Sequence, residues 1–577
     1  MDAKDTLLTD FLDEKAQFRV PIYQRKYSWK MENCRKLVDD ILKVARDTSR
    51  PCHFIGSIIY LARADAMHAS AVKEYFVIDG QQRLTTLSIL LLALGDYTRK
   101  KIQNDAEYDR SATCLEALSE DYLINRRESG DLYYKLRLNE EDFEAWKRLL
   151  RERKKPDEIG QSKIFENYNI LYRALEESDA EPQLIFDGIK KLRLVDICLI
   201  PEDNAQLVFE TVNSTGLPLT TADKIRNFLL MTVKPDQQEQ LYRDYWHPME
   251  QELGMESGES EAFNSFFHYY MTAMLQRPLF GDYYEQFKDY YYSYKNAHPT
   301  AGAEEIVQQI RQYSKFYQEW IKAPKDGTKL QKALYRVRKT GQWKITPVVL
   351  KLLEEEKEKV LSEEEVIEIL QILESYWMRR SICFLPTNTA GSVCLSILKR
   401  LSGPDPRKAF KEMVLKELTW SQRMPNDAEV KRTLKTLELY ALSRERTKMI
   451  LDTLENHGRK EAVPTKEYTI EHIMPQTLSK EWVADLGAEA ERVHETYLHT
   501  LGNLTLTGYN SEYQNKRFSE KMDCTDREGN AIGYRHTPIR ISASLTKETK
   551  WGEAEILKRT EALAEDLLRI WKYPQKD

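Results

Sequence analysis

The sequence has no feature of a disulfide-stapled or cysteine-ligated protein. Its 577 residues contain seven cysteines, and no two of them form a Cys-x-x-Cys pair. An odd number of scattered thiols is typical of a reducing compartment and argues against a zinc site built on cysteine. We therefore expect reduced thiols that take no part in a covalent framework.

Long apolar runs and a leader pattern are also missing. The most apolar stretch, residues 87–94, is far too short to cross a bilayer. The first residues lack the basic-then-apolar layout of a signal peptide. We expect a soluble, cytoplasmic protein with no membrane partner.

An overall positive charge is absent as well. The formal net charge is -6, and charged residues make up 31% of the chain. Such a chain is not a nonspecific coat for nucleic acid, but an enzyme with a local basic groove remains compatible with it. A Walker A loop is not found, so any phosphate binding must use another design.

The distribution of residue types along the sequence divides the chain into three parts. Residues 1–230 mix apolar, β-branched runs at 54–60, 75–78 and 192–200 with helical stretches. Residues 231–455 read as long amphipathic helices with few glycines, and from 456 glycine and proline punctuate short elements. An amphipathic helix follows Trp551. We predict an α+β multidomain protein with borders near residues 230 and 455.

The most informative stretch contains Glu471 and His472, followed by a turn at Asn503 and by Asn510 and Asn515. A histidine can deprotonate a water molecule. An acid and a downstream amide oxygen can hold Mg²⁺ or Mn²⁺ against a scissile phosphate. These residue types in this order are what a one-metal nuclease of the His-Asn-His class needs.

The geometry of a strand limits this interpretation. Successive side chains on a strand point to opposite sides, so Glu471 and His472 can serve one site only from an irregular strand end before Pro475. Asn503 could brace the histidine-bearing loop by hydrogen bonding. The alternative is that His472 is a packed histidine and the asparagines form turns. The other histidines of this region are either further ligands or surface residues, namely His494, His499 and His536.

A second candidate site lies at Asp79-Gly80, between a strand and a helix. Gly80 would let the backbone approach an anion, and the helix N-terminus after it offers free N–H groups. Arg83 could add a bidentate phosphate contact, and Asp79 could organise a metal or a water. The alternative is a simple turn.

The segment 468–521 resembles the His-Asn-His nuclease domain of the GmrSD-type modification-dependent restriction endonucleases. The resemblance rests on Glu471-His472-Ile473-x-Pro475, Leu501-Gly502-Asn503-Leu504-Thr505-Leu506, Asn510, Asn515, Phe518 and Lys521. It implies a ββα-metal (HNH) fold in which His472 is the general base and Asn503 belongs to the catalytic set. Glu471 and Asn510 would contact the metal, with Asn515 as the competing ligand.

The N-terminal part resembles the other half of the same family, which has a ParB-like α/β fold and is linked to nucleotide binding and hydrolysis. The matching boxes are residues 18–29, 54–57, 77–87 and 205–219. The resemblance implies a catalytic role for Asp79 and a nucleotide site, its residues being Tyr23, Gln24, Arg25, Gly80, Gln81, Gln82 and Arg83. Glu210 and Asp223 are open between catalytic and structural roles.

The middle part offers two weaker signals. Tyrosines between 283 and 294 could stack on bases or, more commonly, pack a helix against its neighbours. Residues 376–380 match the family weakly, and the adjacent Arg379 and Arg380 could touch phosphate or form salt bridges.

Together the resemblance implies a single-chain fusion of the two GmrSD halves. Residues 1–230 would form a nucleotide-binding and regulatory domain, 231–455 a helical coupling domain and 456–577 the HNH endonuclease. The expected substrate is modified phage DNA, glucosylated or phosphorothioated, in antiphage defence. The nucleotide (ATP, GTP or another), the sign of its effect and a homodimer are left open. The alternatives are a nucleotide-driven DNA-binding switch and an RNA-cleaving abortive-infection toxin.

Overall fold

The computed structural model describes most of the chain in detail. The described residues are 2–24, 26–47, 49–62, 72–104, 121–152, 162–200, 203, 205–213, 220–254, 261–299 and 302–575. They form a mixed α+β structure dominated by helices, as predicted. The chain divides into two compact units, residues 1–267 with 280–311 and residues 268–279 with 312–577. The predicted borders near 230 and 455 stay a prediction.

The first unit is built on a mixed sheet of six strands. In chain order these are β1 (Asp2–Leu7), β2 (Ala16–Arg19), β3 (His53–Ala62), β4 (Lys73–Asp79), β5 (Leu136–Arg137) and β6 (Leu192–Leu199). Their order across the sheet is β1-β6-β3-β4-β2-β5. β3 pairs with β4 antiparallel and with β6 parallel, and β2 lies parallel to β4. The three strands predicted near 54, 75 and 192 are confirmed.

Helices cover this sheet. The one predicted after Gly80 is confirmed and runs from Gln81 to Asn104. The other helices that begin in this unit are Leu8–Asp13, Met31–Arg46, Gly130–Tyr133, Glu140–Glu152, Lys163–Glu177, Pro182–Lys190, Ala205–Asn213, Thr221–Met231, Pro235–Leu241, Tyr242–Trp246, His247–Glu252, Glu261–Leu275, Tyr284–Ala297 and Ala303–Lys322.

Aromatic packing joins the strands to the first helix. The rings of Phe11 and Phe18 stack with 4.6 Å between centroids, and those of Tyr60 and Tyr75 lie 4.6 Å apart. The tyrosine-rich segment is also used for packing. Tyr284 and Tyr291 are buried, and the ring of Tyr291 meets Phe228 edge-on at 4.9 Å. The packing interpretation of this segment is therefore confirmed for these two residues.

The second unit is mainly helical and contains a two-stranded sheet. β7 (Thr469–His472) pairs antiparallel with β8 (Leu504–Thr507). Its helices are Lys329–Lys339, Trp343–Ile345, Thr346–Lys357, Glu363–Ile382, Ala390–Leu401, Pro406–Glu412, Met413–Glu417, Trp420–Gln422, Asp427–Leu434, Leu439–Leu442, Arg444–Asn456, Thr465–Glu467, Lys480–Leu486, Gly487–Glu489, Ala490–Tyr497, Leu501–Asn503, Asn510–Tyr513, Phe518–Met522, Arg540–Ala543, Ser544–Lys547 and Glu553–Ile570.

The small sheet is fixed by a hydrophobic core on one face. Leu504 and Leu506 of β8 are buried with Leu454 and Leu567, which come from helices on either side in the sequence. The final helix, predicted between Trp551 and Trp571, is confirmed at Glu553–Ile570. Among the described residues, every helix falls short of the length and apolarity needed to cross a membrane.

Candidate functional site

Glu471 and His472 end strand β7 in a regular register. The pairs are Glu471 with Thr505 and His472 with Leu504, so the ladder stays unbroken to its last residue. The irregular strand end expected from the sequence, which would have turned both side chains inward, is not formed. The two side chains therefore follow the alternation of a strand and enter different surroundings.

Glu471 belongs to a buried ion pair. Its Oε1 lies 2.5 Å from the Lys521 ammonium, and both side chains are almost fully buried. The Tyr534 hydroxyl also donates to Oε1 at 3.5 Å. Burial raises the pKa of Glu471 and lowers the pKa of Lys521, while each charge favours the ionised form of the other. Lys521 further donates to the His472 and Ile473 carbonyls at 3.0 and 3.2 Å.

His472 lies among other rings. Its Nε2 is 3.1 Å from Nδ1 of His499, and its Nδ1 is 3.3 Å from the Gln476 amide nitrogen. Because an amide nitrogen only donates, these contacts favour the tautomer in which Nδ1 of His472 accepts and Nε2 carries the ring proton. Burial lowers the pKa of His472 to about 3, and the neighbouring cations act in the same direction. The ring is neutral near pH 7 and has a lone pair on Nδ1.

Tyr440 forms a wall of this pocket. Its ring meets His472 edge-on at 4.6 Å and stacks on His499 at 5.4 Å with an interplanar angle of 15°. The Arg444 guanidinium lies over the Tyr440 ring, 5.1 Å from its centroid. The Tyr440 N–H donates to the His499 carbonyl at 3.3 Å. Residues preceding the small sheet thus complete the surroundings of His472.

Asn503 holds the loop that follows His472. Its Nδ2 donates to the Met474 and Leu498 carbonyls at 2.9 Å each, and its Oδ1 accepts the Met474 N–H at 2.8 Å. The Trp551 indole N–H also donates to Oδ1, at 3.1 Å. With its side chain fully buried, Asn503 satisfies backbone groups that would otherwise be costly. This is the bracing geometry expected from the sequence.

The turn at Gly502 rests against the final helix. A Cβ at this position would lie 2.3 Å from the Ile556 carbonyl oxygen and 2.3 Å from Oγ1 of Thr560. Only glycine allows this approach. The buried Arg559 donates to the Gly502 and Leu504 carbonyls at 2.7 and 2.8 Å, which satisfies the turn from the helix side.

The two downstream asparagines differ in position. Asn510 begins the helix Asn510–Tyr513, and its Nδ2 donates to the Ile470 carbonyl at 2.9 Å and to Oγ1 of Thr469 at 3.2 Å. It therefore lies against β7 just before Glu471. Asn515 is exposed and follows Gln514, whose φ of 42° is unusual for a residue with a side chain.

Two of the predicted ligands, Glu471 and Asn510, carry the oxygen types that a hard cation binds, although Glu471 is buried and Asn510 is exposed. Mg²⁺ commonly takes one or two carboxylates and completes its shell with water and substrate phosphate. Glu471 offers a carboxylate, and the Asn510 side chain uses its nitrogen on β7, which leaves its carbonyl oxygen as a ligand atom. A cation there would share Glu471 with Lys521. Across the part of the chain that is described, no group of three His, Cys, Asp or Glu side chains is arranged to hold a metal.

In the first unit, Asp79 and Arg83 form close contacts with each other and with strand β3. Arg83 pairs with Asp79 at 3.1 Å and donates to the Ile55 carbonyl at 3.2 Å. Gly80 has φ +90° and approaches the Ser57 carbonyl, where a Cβ would lie at 2.9 Å. At Gly56, with φ +100°, a Cβ would meet Nη1 of Arg83 at 1.8 Å. Gly56 thus leaves room for Arg83 on the β3 backbone, and Gly80 lets the turn after β4 approach the same strand.

Several predicted nucleotide residues are engaged with the backbone. Gln24 is buried and donates to the Val77 and Ile78 carbonyls at 2.6 and 3.0 Å. Gln82 accepts the Ser28 N–H at 2.8 Å and donates to the Lys26 carbonyl at 3.2 Å. Their nucleotide contact stays a prediction.

The remaining residues of this predicted set differ in exposure. Tyr23 is buried, and its carbonyl accepts from Arg226 at 2.9 Å. Gln81 is half-buried at the helix start. Arg25 lies outside the described residues. Their nucleotide contact also stays a prediction.

Glu210 and Asp223 both have protein partners. Glu210 accepts from the Tyr284 hydroxyl at 2.6 Å and pairs with Lys288 at 3.3 Å. Asp223 caps the helix Thr221–Met231 through Thr220 and pairs with Arg226 at 3.1 Å. This geometry favours the structural interpretation of both carboxylates.

Arg379 and Arg380 lie in the interior and do not face a surface where phosphate could bind. Arg379 is fully buried, pairs with Asp427 at 2.7 Å and donates to the Trp571 carbonyl at 2.7 Å. Arg380 donates to the Arg423 and Pro386 carbonyls at 3.0 and 2.7 Å. The prediction that these arginines touch phosphate is wrong. Both of them link elements of the second unit instead.

Three contacts at the candidate site were not predicted from the sequence. Lys521 matched a family position, but its pairing with Glu471 joins residues 50 apart. His499 was considered only as a ligand or a surface residue. Tyr440 lies on the other side of the predicted border at 455. No local pattern marks such long-range contacts, although Lys521 is buried within the helix Phe518–Met522 and therefore requires a partner.

Two family models match the chain. Residues 8–230 match the GmrSD restriction endonuclease N-terminal domain, and residues 424–566 match the GmrSD restriction endonucleases C-terminal domain. Comparison with curated proteins returned no match to the sequence. The two matches define a restriction endonuclease, a class that cuts DNA in defence.

The chain belongs to the GmrSD restriction endonuclease family, with both of its halves on one polypeptide. The predicted resemblance is thereby confirmed. DNA is the substrate that the family implies.

Proposed function

We propose that the protein is a metal-dependent HNH endonuclease that cleaves modified phage DNA and is regulated by a nucleotide. The proposed reaction is hydrolysis of a phosphodiester in the second unit, with His472 as general base. The C-terminal part would adopt the ββα-metal fold and the N-terminal part the ParB-like fold. Glucosylated and phosphorothioated DNA are the candidate substrates.

The observation that carries this proposal is that Asn503 braces the loop that follows His472. Four hydrogen bonds fix the Asn503 amide between the segment after His472 and the Gly502 turn. A fixed base is what general-base catalysis requires, because its lone pair must be held within hydrogen-bond reach of the proton it abstracts.

In the proposed reaction, a water proton moves to Nδ1 of His472. The water oxygen forms a bond to phosphorus, the bond from phosphorus to the leaving oxygen breaks, and that oxygen takes a proton from solvent. His472 is neutral near pH 7 and so has the lone pair that this step needs. Asn503 keeps the loop in place but touches no reacting atom.

Glu471 and Asn510 are the residues that would hold Mg²⁺ or Mn²⁺, with Asn515 as the competitor. This ligand set requires the end of β7 to turn, because its regular register places the Glu471 and His472 side chains on opposite sides of the strand. When bound, such an ion supplies charge stabilisation for the scissile phosphate and the leaving oxygen. Lys521 would keep Glu471 ionised while the ion is absent.

The nucleotide is proposed to bind the first unit around Asp79 and Arg83, with hydrolysis there. A ligand changes the activity of another site only through different affinities for two states of the protein. Arg83 is a suitable contact because its pairing with Asp79 is partly exposed and can exchange for a phosphate. ATP, GTP and a homodimeric assembly are each compatible with this proposal.

The test is cleavage of matched phage DNAs, unmodified, glucosylated and phosphorothioated, with Mg²⁺ or Mn²⁺ and with or without nucleotide. We expect cutting of one modified substrate that is lost in His472→Ala. Cutting that survives this substitution would refute the assignment of His472. No cutting of any DNA would favour a DNA-binding switch, and cutting of RNA alone would favour an abortive-infection toxin.

A matched control separates loss of chemistry from loss of the fold. His298→Ala makes the same substitution at an exposed position of the first unit. It should cut the modified DNA like the wild type. The thermal stability of both variants should be measured by circular dichroism, so that a loss of chemistry can be distinguished from a loss of the fold.

A further inference from the structure

His499 is placed where it controls the orientation of the His472 ring. Their facing nitrogens are 3.1 Å apart, with an angle of 75° between the rings. Two neutral imidazoles at this distance require one N–H donor and one acceptor. Because Gln476 donates to Nδ1 of His472, the donor in the pair is Nε2 of His472 and the acceptor is Nδ1 of His499.

The His499 ring is itself fixed. It stacks on Tyr440 with 5.4 Å between centroids and 15° between planes. Its backbone carbonyl accepts the Tyr440 N–H at 3.3 Å, and the neighbouring Thr500 forms an antiparallel bridge with Glu438. Backbone and ring contacts to the same short segment leave His499 little freedom to rotate. Its Nδ1 is therefore an acceptor in a constant position.

We propose that His499 is a positioning residue that holds His472 in the tautomer with its lone pair on Nδ1. This inference rests on the proposed role of His472 in DNA cleavage and extends it to a second histidine. His499 accepts the hydrogen bond from Nε2–H of His472 throughout the reaction and touches no reacting atom. The Gln476 nitrogen lies 3.3 Å from Nδ1, at the position that the attacking water would take, so the reaction requires the Gln476 amide to move aside.

The charge distribution agrees with a positioning role. When His472 takes a proton from water, its imidazolium keeps the Nε2–H bond to His499, and the positive charge strengthens that bond. A free ring could instead rotate or change its tautomer and present Nε2–H to the water. Losing the acceptor should thus lower turnover while leaving substrate binding unchanged.

Two variants of the full chain separate the acceptor from the ring. His499→Phe keeps a ring that can stack on Tyr440 but removes the acceptor. His499→Asn loses the ring but places an amide oxygen close to the position of Nδ1. With Mg²⁺ and the modified phage DNA that the wild type cuts, we expect kcat to fall about 10- to 100-fold in His499→Phe with KM unchanged, as is typical when an orienting partner is lost. His499→Asn should recover a part of this loss.

The tautomer can be measured without any reaction. In the ¹⁵N-histidine-labelled chain, the nitrogen shifts of His472, assigned by its loss in His472→Gln, should show protonation at Nε2. In His499→Phe the same signals should shift towards a mixture of tautomers. Protonation at Nδ1 in the wild type, or an unchanged kcat in His499→Phe, would overturn the proposal.

The two measurements also separate this inference from the proposed function. If the wild-type chain cuts none of the DNAs, the proposed nuclease fails, and the nitrogen shifts alone decide whether His499 orients His472. If the wild type cuts and His472→Ala does not, a full kcat in His499→Phe refutes the positioning role alone. His298→Phe, at an exposed position, is the matched control and should leave both readouts unchanged.

Discussion

The Lys521 ammonium and the Glu471 carboxylate lie 2.5 Å apart, and their side chains are 0% and 4% exposed. Removing one member of such a pair leaves the other charge buried without compensation. We expect Lys521→Met to lower the free energy of unfolding by about 3–5 kcal/mol, as is typical for a broken buried pair. Urea denaturation followed by tryptophan fluorescence measures this loss.

A double variant and a surface pair test the reason for that loss. Glu471→Gln combined with Lys521→Met removes both charges and should recover at least half of the lost stability. Arg569→Met breaks an exposed pair with Asp566 at 2.9 Å and should change stability by less than about 1 kcal/mol. An equal loss in Arg569→Met and Lys521→Met would contradict the importance of burial.

Asn503→Ala should destabilise the second unit strongly. The substitution leaves the Met474 N–H, two carbonyls and the Trp551 N–H without their buried partner. A loss of about 2–4 kcal/mol is expected from unsatisfied buried groups. The matched control is Asn515→Ala at an exposed position, which should cost less than about 0.5 kcal/mol. Thermal melts of both variants provide the comparison.

The burial of His472 predicts a pH-dependent stability. Its pKa is lowered to about 3 in the fold, whereas an unfolded histidine titrates near about 6.5. The unfolded chain therefore binds a proton first, and stability is lost as the pH falls below about 6.5. Between pH 7 and pH 5 this one group should remove about 2 kcal/mol.

The measurement is denaturant unfolding at several pH values in the wild type and in His472→Gln. The variant lacks the titrating ring, so its stability should fall less steeply between pH 7 and pH 5. Parallel curves for the two proteins would show that the ring is already protonated in the fold or is exposed to water.

How much of the site could be predicted depends on the range of the contacts. The strands at 54, 75 and 192 and the helix after Gly80 follow from local patterns of apolar residues. The bracing role of Asn503 follows from its glycine turn. The regular pairing of β7 with β8 and the Lys521 partner of Glu471 do not, because segments 30 to 50 residues apart form these contacts only when the unit folds.

Gly56→Ala should lower the free energy of unfolding by more than backbone strain alone would. The added Cβ would lie 1.8 Å from Nη1 of Arg83, which must leave the Ile55 carbonyl. Gly130→Ala is the matched control, since Gly130 also has a positive φ, +63°, but no atom lies within 4 Å of its Cβ. We expect backbone strain to lower the free energy of unfolding by about 1 kcal/mol in Gly130→Ala, and we expect a larger decrease in Gly56→Ala.

The same pair of variants reports on the nucleotide. If Arg83 contacts a phosphate, binding of a fluorescent nucleotide should weaken in Gly56→Ala and in Arg83→Ala, but not in Gly130→Ala. Unchanged binding in Arg83→Ala would remove this residue from the proposed nucleotide site.

Gln514 is expected to be a strained residue whose replacement stabilises the fold. Its backbone has φ 42° and ψ -132°, a region that glycine enters easily and other residues rarely enter. Gln514→Gly should raise the free energy of unfolding by about 1 kcal/mol. Glu512→Gly, in the helix just before it, should lower it by about 1 kcal/mol. A destabilised Gln514→Gly variant would show that the side chain matters more than the backbone.

The contact between Arg559 and the Gly502 turn affects when the site can form during synthesis. The guanidinium that satisfies the Gly502 and Leu504 carbonyls belongs to a helix translated after Glu471, His472 and Asn503. During synthesis on the ribosome, the turn gains this support only after Arg559 has been made, 57 positions downstream of Gly502. A nascent chain released before Arg559 carries every predicted nuclease residue but lacks the support of the Gly502 turn. The order of the sequence thus delays completion of the site until most of the polypeptide has been made.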